Sequence, residues 1–555
     1  MKQQLELEIA ALVSRLFSAD TVVELTRPDE KFGDFATNVA LQLATAANMN
    51  PRAVATQLAA EIESHPAIAS ATVAGPGFIN LTLTAAALVS MLQADLTAVN
   101  HGKRVLLEFS CPNAFKELHT GHLYQTIAGD AIGRILEATG VTVFRANFGG
   151  DVGLHVAKCL YGILEEIGGE TEYTKIFVID QAARPEWLSS QYVRGAAAYE
   201  RDETIKAQIA AINSRVYALQ AEQDHDSDLA KIYWECRDWS YDYFKQFYDD
   251  ISVQPFDKYY PESTTTEAGL AIVRANTPQT FQESEGAVVF KGESVGLHTS
   301  VFITSKGLPT YQTKDLGVIM AEVQDFPYDQ RVIMTGNDQT EYMRVIFAAL
   351  ASFDPELAAK QLHHPNGTVK FSSGQKMSSR LGNVTRAVDV LCVVSEAVAA
   401  NDLQTRNDIS LGAIKYSFLK HRIGGDIAFD LNESIRLEGN SGPYLQYAHT
   451  RAASILKKSN EVSTESLDAI KADERSLTRK LAEYNEVIIK AAEELMPHLI
   501  CTYLYELAQA FNRFYENNRV IGDDRQAIRL TLVKIYADTL KSGLVLLGVP
   551  VPEEM

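Results

Sequence analysis

In the stretch CPNAFKELHTGHLYQT, residues 111–126, His119 and His122 bracket Gly121 directly after the apolar run KRVLLEF. The pair lacks the four-residue step of a His-x-x-x-His metal site. Leu123, Ile127, Ala131 and Ile135 recur at every fourth position and Gly140 ends the run, which predicts a helix with both histidines at its N-terminus. Free N–H groups and the helix dipole favour an anion there. Imidazole donors would hold phosphate oxygens, and Gly121 would let a flat base approach the backbone. Two histidines alone fit equally well as one cap and one surface residue.

The second candidate is SSGQKMSSRLGNV, residues 372–384, a Gly- and Ser-rich loop carrying Lys376, Met377, Ser378, Ser379 and Arg380. A loop lysine can bring positive charge onto a phosphoryl group as charge develops at phosphorus. By itself the loop reads as solvated surface. Paired with a His-x-Gly-His at an upstream strand–helix junction, it points to chemistry on a nucleotide phosphate.

These residues need a scaffold. The runs RVLLEF, VTVFRANF, AVVFKG, TSVFIT and QRVIMTG alternate with helical patterns from residue 103 onward, which predicts a parallel sheet with crossover helices. Ligands bind beyond the carboxyl ends of such strands. Residues 155–255 are mostly helical and read as an insertion into the sheet. Residues 1 to about 95 form an α+β unit, with helical patterns at 1–17, ATNVALQLATAA and PRAVATQLAAEIES around the strand GFINLTLT. From about 405 the pattern is helical; Leu504, Leu507, Phe511 and Phe514 make one apolar stripe.

The 555-residue length exceeds one core. No apolar run reaches the roughly 18 residues that span a bilayer, and the N-terminus lacks a signal-peptide core. The five cysteines are scattered without a Cys-x-x-Cys pair, so neither a structural zinc nor a disulfide framework is expected, and the compartment reads as reducing cytoplasm. Net charge is −20, from 51 basic and 71 acidic residues. A polyanion could be held only by basic residues gathered on one face. Arg451 and the late run Arg513, Arg519, Arg525, Arg529, Lys534 and Lys541 are candidates, continuing a track from Lys376, Arg380 and Arg386.

The paired signatures resemble HIGH and KMSKS of the class I aminoacyl-tRNA synthetases. LEFSCPNAFKELHTGHLYQTIAGDAIGRILEATG closely resembles the corresponding segment of the arginyl-tRNA synthetase family. The likeness continues through NFGGDVG, YQTKDLG, TGNDQ, EGNSGPYLQYAHTRAASIL and, near the N-terminus, FGDFATNVAL. It covers nearly the whole chain, the 155–255 insertion least clearly.

The resemblance implies an α/β fold: a Rossmann-type parallel-sheet catalytic domain at 101–404 with the helical insertion, and a small additional tRNA-binding α+β domain at 1–100. An all-α anticodon-binding bundle follows at 405–555. It implies arginine activation with ATP and transfer to tRNA, with Mg²⁺ carried on ATP, in a cytoplasmic monomer that makes no membrane contact. His119, Gly121, His122, Lys376, Met377, Ser378 and Ser379 match the ATP-binding signatures, with His119, His122 and Lys376 catalytic. Lys116 is assigned as helper to Lys376, since a lysine before HIGH is thought to substitute where the loop lysine is lost.

Arginine is a planar, permanently charged cation with five donors, and carboxylates accepting paired hydrogen bonds distinguish it from lysine. Glu108 and Asp315 match the family's guanidinium-binding acids, Tyr311 its pocket tyrosine one turn before Asp315, and Asn113 and Gln339 its ligands for the α-carboxylate and α-amino groups. Cys111 departs from a common serine, and a thiol donates weakly. In the C-terminal helices Tyr444, Gln446, Tyr447, Arg451, Tyr503, Arg513 and Tyr515 are candidates for base contacts. A synthetase for another amino acid and a catalytically dead tRNA-binding paralogue are the competing readings. The second has no use for His119, His122, Lys376, Glu108 and Asp315.

Overall fold

The structure, a computed structural model, describes all residues except 94, 372–385, 401, 460–466 and 468–469. Its central sheet contains β1 (Arg104–Glu108), β2 (Thr142–Gly149), β3 (Lys258–Pro261), β4 (Gln330–Ile333) and β5 (Gln361–His363) in the order β5-β4-β1-β2-β3. Every adjacent pair is parallel. The chain winds from β1 outward to β3 and then returns to the other side of β1. The crevice beyond the ends of β1 and β4 is therefore the switch point where such sheets take ligands.

Helices cover both faces, so β1 is apolar on both. Val105 and Leu107 pack with Leu123, Ile127 and Ile135 of α1 (Thr120–Ala138), whereas Leu106 packs on the opposite face. Helices α2 (Leu154–Ile167), α3 (Arg184–Arg201), α4 (Glu203–Glu222) and α5 (Asp228–Asp250) form the insertion between β2 and β3. They share a core around Cys159, Leu160, Ile209, Tyr233 and Trp239. The far end of α5 contributes Phe244, Phe247 and Tyr248 to the main core.

Two expected parallel strands lie elsewhere. Ala287–Phe290 and Ser300–Ile303 join Phe281–Ser284 in a separate antiparallel sheet. The hairpin turn Glu285-Gly286 has φ of 49° and 79°, and so short a turn joins antiparallel strands only, since a parallel pair needs a long crossover. Beyond that sheet come α6 (Tyr311–Asp325) and α7 (Thr340–Ala351).

In the N-terminal unit, helices Lys2–Phe17 and Pro51–Ile62 pack on a three-stranded antiparallel sheet, with Phe78–Leu83 between Phe35–Thr37 and Ile68–Ala74. ATNVALQLATAA is helical only over Val39–Leu43, its start being drawn into the sheet through Phe35–Thr37. Asp34 of FGDFATNVAL is buried against the C-terminal helices. Its Oδ2 accepts from the Leu83 N–H at 2.7 Å and from Arg475 Nη2 at 2.5 Å. Arg27 forks onto Glu486 at 2.6 and 3.1 Å beside it. The first and last parts of the chain are thus clamped together.

The C-terminal part is built on α8 (Leu403–Leu419), α9 (Gly442–Ser459), α10 (His498–Asn517) and α11 (Gln526–Leu546). The stripe Leu504, Leu507, Phe511 and Phe514 is buried, in one continuous core with Leu123, Ile127, Phe418 and Leu445. The Tyr124 ring of α1 meets the Phe418 ring of α8 edge-on at 5.8 Å. A cut at residue 405 would divide this shared core. Among the described residues no helix is long and apolar enough to cross a membrane.

Candidate active site

The two histidines cap α1 reciprocally. His119 Nδ1 accepts the Gly121 N–H at 3.0 Å, and His122 Nδ1 accepts the His119 N–H at 3.2 Å. Their rings lie 3.8 Å apart at 32°. A neutral imidazole that accepts at Nδ1 carries its proton on Nε2. Burial, aided by Lys116, pushes His119 down to about 4 and His122 well below its ordinary value, so both rings are neutral near pH 7. Each therefore offers an Nε2–H donor without a competing charge. Gly121 has a reason nearer than base approach: a Cβ would stand 2.8 Å from His119 Cε1.

The loop from β1 to α1 is backbone-strained. Ser110, Cys111 and Phe115 have φ of 70°, 44° and 66°, a region that costs a non-glycine residue on the order of 1–2 kcal/mol. The insertion holds it in place. Phe115 stacks on Tyr233 at 5.7 Å, and its N–H donates to Ser240 Oγ at 3.0 Å. The Glu117 N–H donates to Ser189 Oγ at 2.7 Å, and Ser110 Oγ lies 2.9 Å from Tyr248 Oη. Lys116 rides on the same loop, its Nζ 5.7 Å from the Tyr192 ring centroid and its pKa lowered by burial.

A cleft of about 980 Å³ at the switch point is lined by Glu108, Asn113, His119, Gly121, His122, Tyr311, Asp315 and Gln339. Lys116 is set outside this lining. Lys376, Met377, Ser378, Ser379 and Arg380 lie outside the described residues. The flanking residues are placed: Phe371 lines the cleft, and Arg386 bridges His119.

The cleft has two electrostatic ends. At the histidine end, neutral donors and a helix N-terminus suit phosphate. At the other end, Glu108 closes β1 and Asp315 sits one turn beyond Tyr311 on α6, all facing the cleft. Burial, reinforced by Glu108, pushes Asp315 up to about 7, although Tyr342 Oη donates to its Oδ2 and lowers it. Glu262 is paired with buried Lys314, whose Nζ lies 4.4 Å over the Tyr311 ring. Cys111 turns towards the floor, Sγ 3.7 Å from Glu108 Oε1, and burial with that carboxylate keeps the thiol protonated. Asn113 is held beside Gly150 of the β2 edge, and Gln339 follows β4, its Nε2 donating to Asp338 at 3.1 Å.

Sequence reasoning missed Tyr342, Glu262, Arg331 and Glu322 around the acidic end. The charged Arg331 inside the apolar run QRVIMTG was one signal. Glu322, two turns beyond Asp315 on the same helix, was another. In the C-terminal part, Gln446 and Tyr503 are removed from the candidate base contacts. Both are buried, Gln446 donating to the carbonyls of Asp408 and Pro550 and Tyr503 to that of Lys480. Arg525 and Arg529 are drawn inward to Glu474. Tyr447, Arg451 and Arg513 remain exposed, with Arg451 over the Tyr515 ring at 5.0 Å.

Three family models cover the chain: the arginyl tRNA synthetase N terminal domain at 1–83, the catalytic domain of class I tRNA synthetases (R) at 84–431, and the DALR anticodon binding domain at 445–555. An arginine–tRNA ligase of Thermobifida fusca is 30% identical over 95% of both chains. One from Frankia casuarinae is 32% identical over 100% of this chain and 98% of its own. The solved arginyl-tRNA synthetase of Thermus thermophilus superposes with a TM-score of 0.82 over the full length of both chains, at 25% identity.

Proposed function

The chain belongs to the arginyl-tRNA synthetase family, and from that premise we propose how its cleft performs the reaction. It is an enzyme that esterifies arginine to tRNA with ATP as co-substrate, releasing AMP and pyrophosphate. The arginine carboxylate is itself the nucleophile: its oxygen bonds to the α-phosphorus of ATP as the bond to pyrophosphate breaks. A terminal ribose hydroxyl of tRNA then attacks the activated carbonyl, and AMP leaves. The protein's work is positioning and charge stabilisation.

The observation that carries the reading is one cleft lined both by buried carboxylates, suited to a cation, and by the capped N-terminus of α1, suited to an anion. In this reading Glu108 and Asp315 receive the guanidinium, and Tyr311 fixes its plane. Asn113 and Gln339 hold the α-carboxylate and α-amino groups. That places the carboxylate toward the histidine end, where the Nε2–H groups of His119 and His122 hold phosphate oxygens. Lys376, with Met377, Ser378 and Ser379, brings charge to the α-phosphorus, and Lys116 assists from the β1–α1 loop. Mg²⁺ arrives on ATP and neutralises the departing pyrophosphate. The enzyme works as a cytoplasmic monomer, each half of the cleft being supplied by the same chain. As in the family generally, bound tRNA is required before arginine is activated.

Glu108→Gln tests the pocket. It keeps shape but removes charge opposite a guanidinium, a contact worth about 1.5–3 kcal/mol. The arginine KM should rise about tenfold or more while the ATP KM changes little. Equal changes in both constants would reject the assignment.

A further inference from the structure

Beneath the acidic end lies a resident guanidinium that the reaction does not consume. The Arg331 side chain on β4 is 1% exposed. Its Nη2 donates to Glu108 Oε2, its Nε to Glu322 Oε2 at 2.5 Å, and its Nη1 to Gln361 Oε1 at 3.4 Å. Every nitrogen of the fork is engaged, and each partner comes from a different element: β1, α6 and β5. Glu108 thus has one oxygen tied down. The other, Oε1, has Cys111 Sγ at 3.7 Å, and the Glu322 carboxyl also reaches Glu108.

We propose that Arg331 is a positioning residue for arginine selection: it fixes the plane of the Glu108 carboxylate and leaves Oε1 presented to the incoming guanidinium. This rests on the reading of Glu108 given above. A carboxylate turns readily about its last bond, whereas two N–H donors of a substrate guanidinium need acceptors in one plane. Arg331, itself planar and locked at all three nitrogens, sets that plane. Lysine, with a compact ammonium, gains nothing from it.

Stability alone gives no reason for this arrangement, because a buried ion pair is generally matched or bettered by well-packed apolar residues. Charge gives a further one. Glu108, Glu322 and Asp315 converge on the floor together with the Tyr342 hydroxyl and the Glu262–Lys314 pair. Arg331 is the cation that holds Asp315 and Glu322 below where burial and the Glu108 carboxylate would put them. Without it, Asp315 would hold its proton to still higher pH, and arginine would have to displace it over a wider range.

The test uses the full-length enzyme and tRNA charging. Arg331→Met and Arg331→Lys are each combined with Glu322→Gln, so that no second buried carboxylate is orphaned, and compared with Glu322→Gln alone. With Arg331→Met the arginine KM should rise about tenfold or more, with kcat and the ATP KM within about threefold. The midpoint of the arginine kcat/KM profile should also move to higher pH, because the lost cation had favoured the charged form of Asp315. Arg331→Lys should restore the midpoint but leave the arginine KM raised, since charge returns without the fork. An unchanged arginine KM, or equal rises for arginine and ATP, would overturn the inference. If the Met variant does not fold, an unchanged arginine KM in the Lys variant overturns it equally. A rise for Glu108→Gln without one for the Arg331 variants rejects Arg331 and leaves the pocket standing. No rise for Glu108→Gln rejects the reading beneath both.

Discussion

If Asp315 receives the guanidinium as proposed, arginine binding should depend on pH near neutrality. Its carboxyl is buried on α6 and is pushed up to about 7 by burial and the neighbouring Glu108, against the opposing effects of Tyr342 and Arg331, with Glu262 adding to the rise. A protonated Asp315 cannot pair with a guanidinium, so arginine binds the ionised form and expels a proton wherever the free carboxyl holds one. The arginine KM should then scale as 1 + 10^(7 − pH), about 11 at pH 6 and about 1.1 at pH 8, a tenfold change overall. The linkage to stability has a definite sign. With a folded-state pKa above the unfolded value, Asp315 contributes stability that is present at low pH and lost as pH rises through about 7. Bound arginine compensates that loss, so it should raise Tm more at pH 8 than at pH 6. The assay is the arginine KM across this range at saturating ATP and tRNA, with Asp315→Asn as control. The amide should give a KM raised about tenfold or more and flat with pH. A flat profile in the native protein, or the same slope in Asp315→Asn, would refute the reasoning.

Other predictions address the remaining parts of the site. His122→Asn keeps an acceptor for the helix cap but loses the Nε2–H donor, so kcat should fall about a hundredfold with little loss of stability; a kcat within twofold would deny His122 a phosphate role. Lys376→Ala should lower kcat more than Lys116→Ala does, and the reverse order in pyrophosphate exchange would transfer the main role to Lys116. Arg451→Gln with Arg513→Gln should raise the tRNA KM and flatten its salt dependence while leaving the arginine KM alone. A tRNA KM indifferent to both salt and these changes would remove the exposed C-terminal face from the binding track.

The parts legible in the sequence were those with local signals. The apolar run at β1, the four-residue period of α1 and the helix-start histidines are all written within about one stretch of chain, and the fold places them together. Glu108, Tyr311 and Asp315 were readable through family motifs, and all three line the cleft. What escaped depends on pairing at a distance. Strands β3 and β5 are four and three residues long, too short for a period, and exist because β2 and β4 offer open edges. Arg331 and Glu108 lie 223 residues apart, so nothing local announced that the pocket acid already has an arginine beneath it. Gln446 and Tyr503 look like surface candidates on a helical wheel, yet neighbouring helices bury both. Gly121 was read as leaving room for a flat base, but its immediate constraint, the overlying His119 ring, needed three dimensions.

In the proposed reaction this one cleft joins arginine to the α-phosphorus of ATP only when tRNA is present. ATP–pyrophosphate exchange with each of the twenty standard amino acids, run with and without tRNA, tests it most directly. Exchange should occur with arginine and tRNA together, and should fall steeply in Glu108→Gln. Exchange driven by another amino acid, or arginine exchange unaffected by Glu108→Gln, would rule out arginine selection by this cleft.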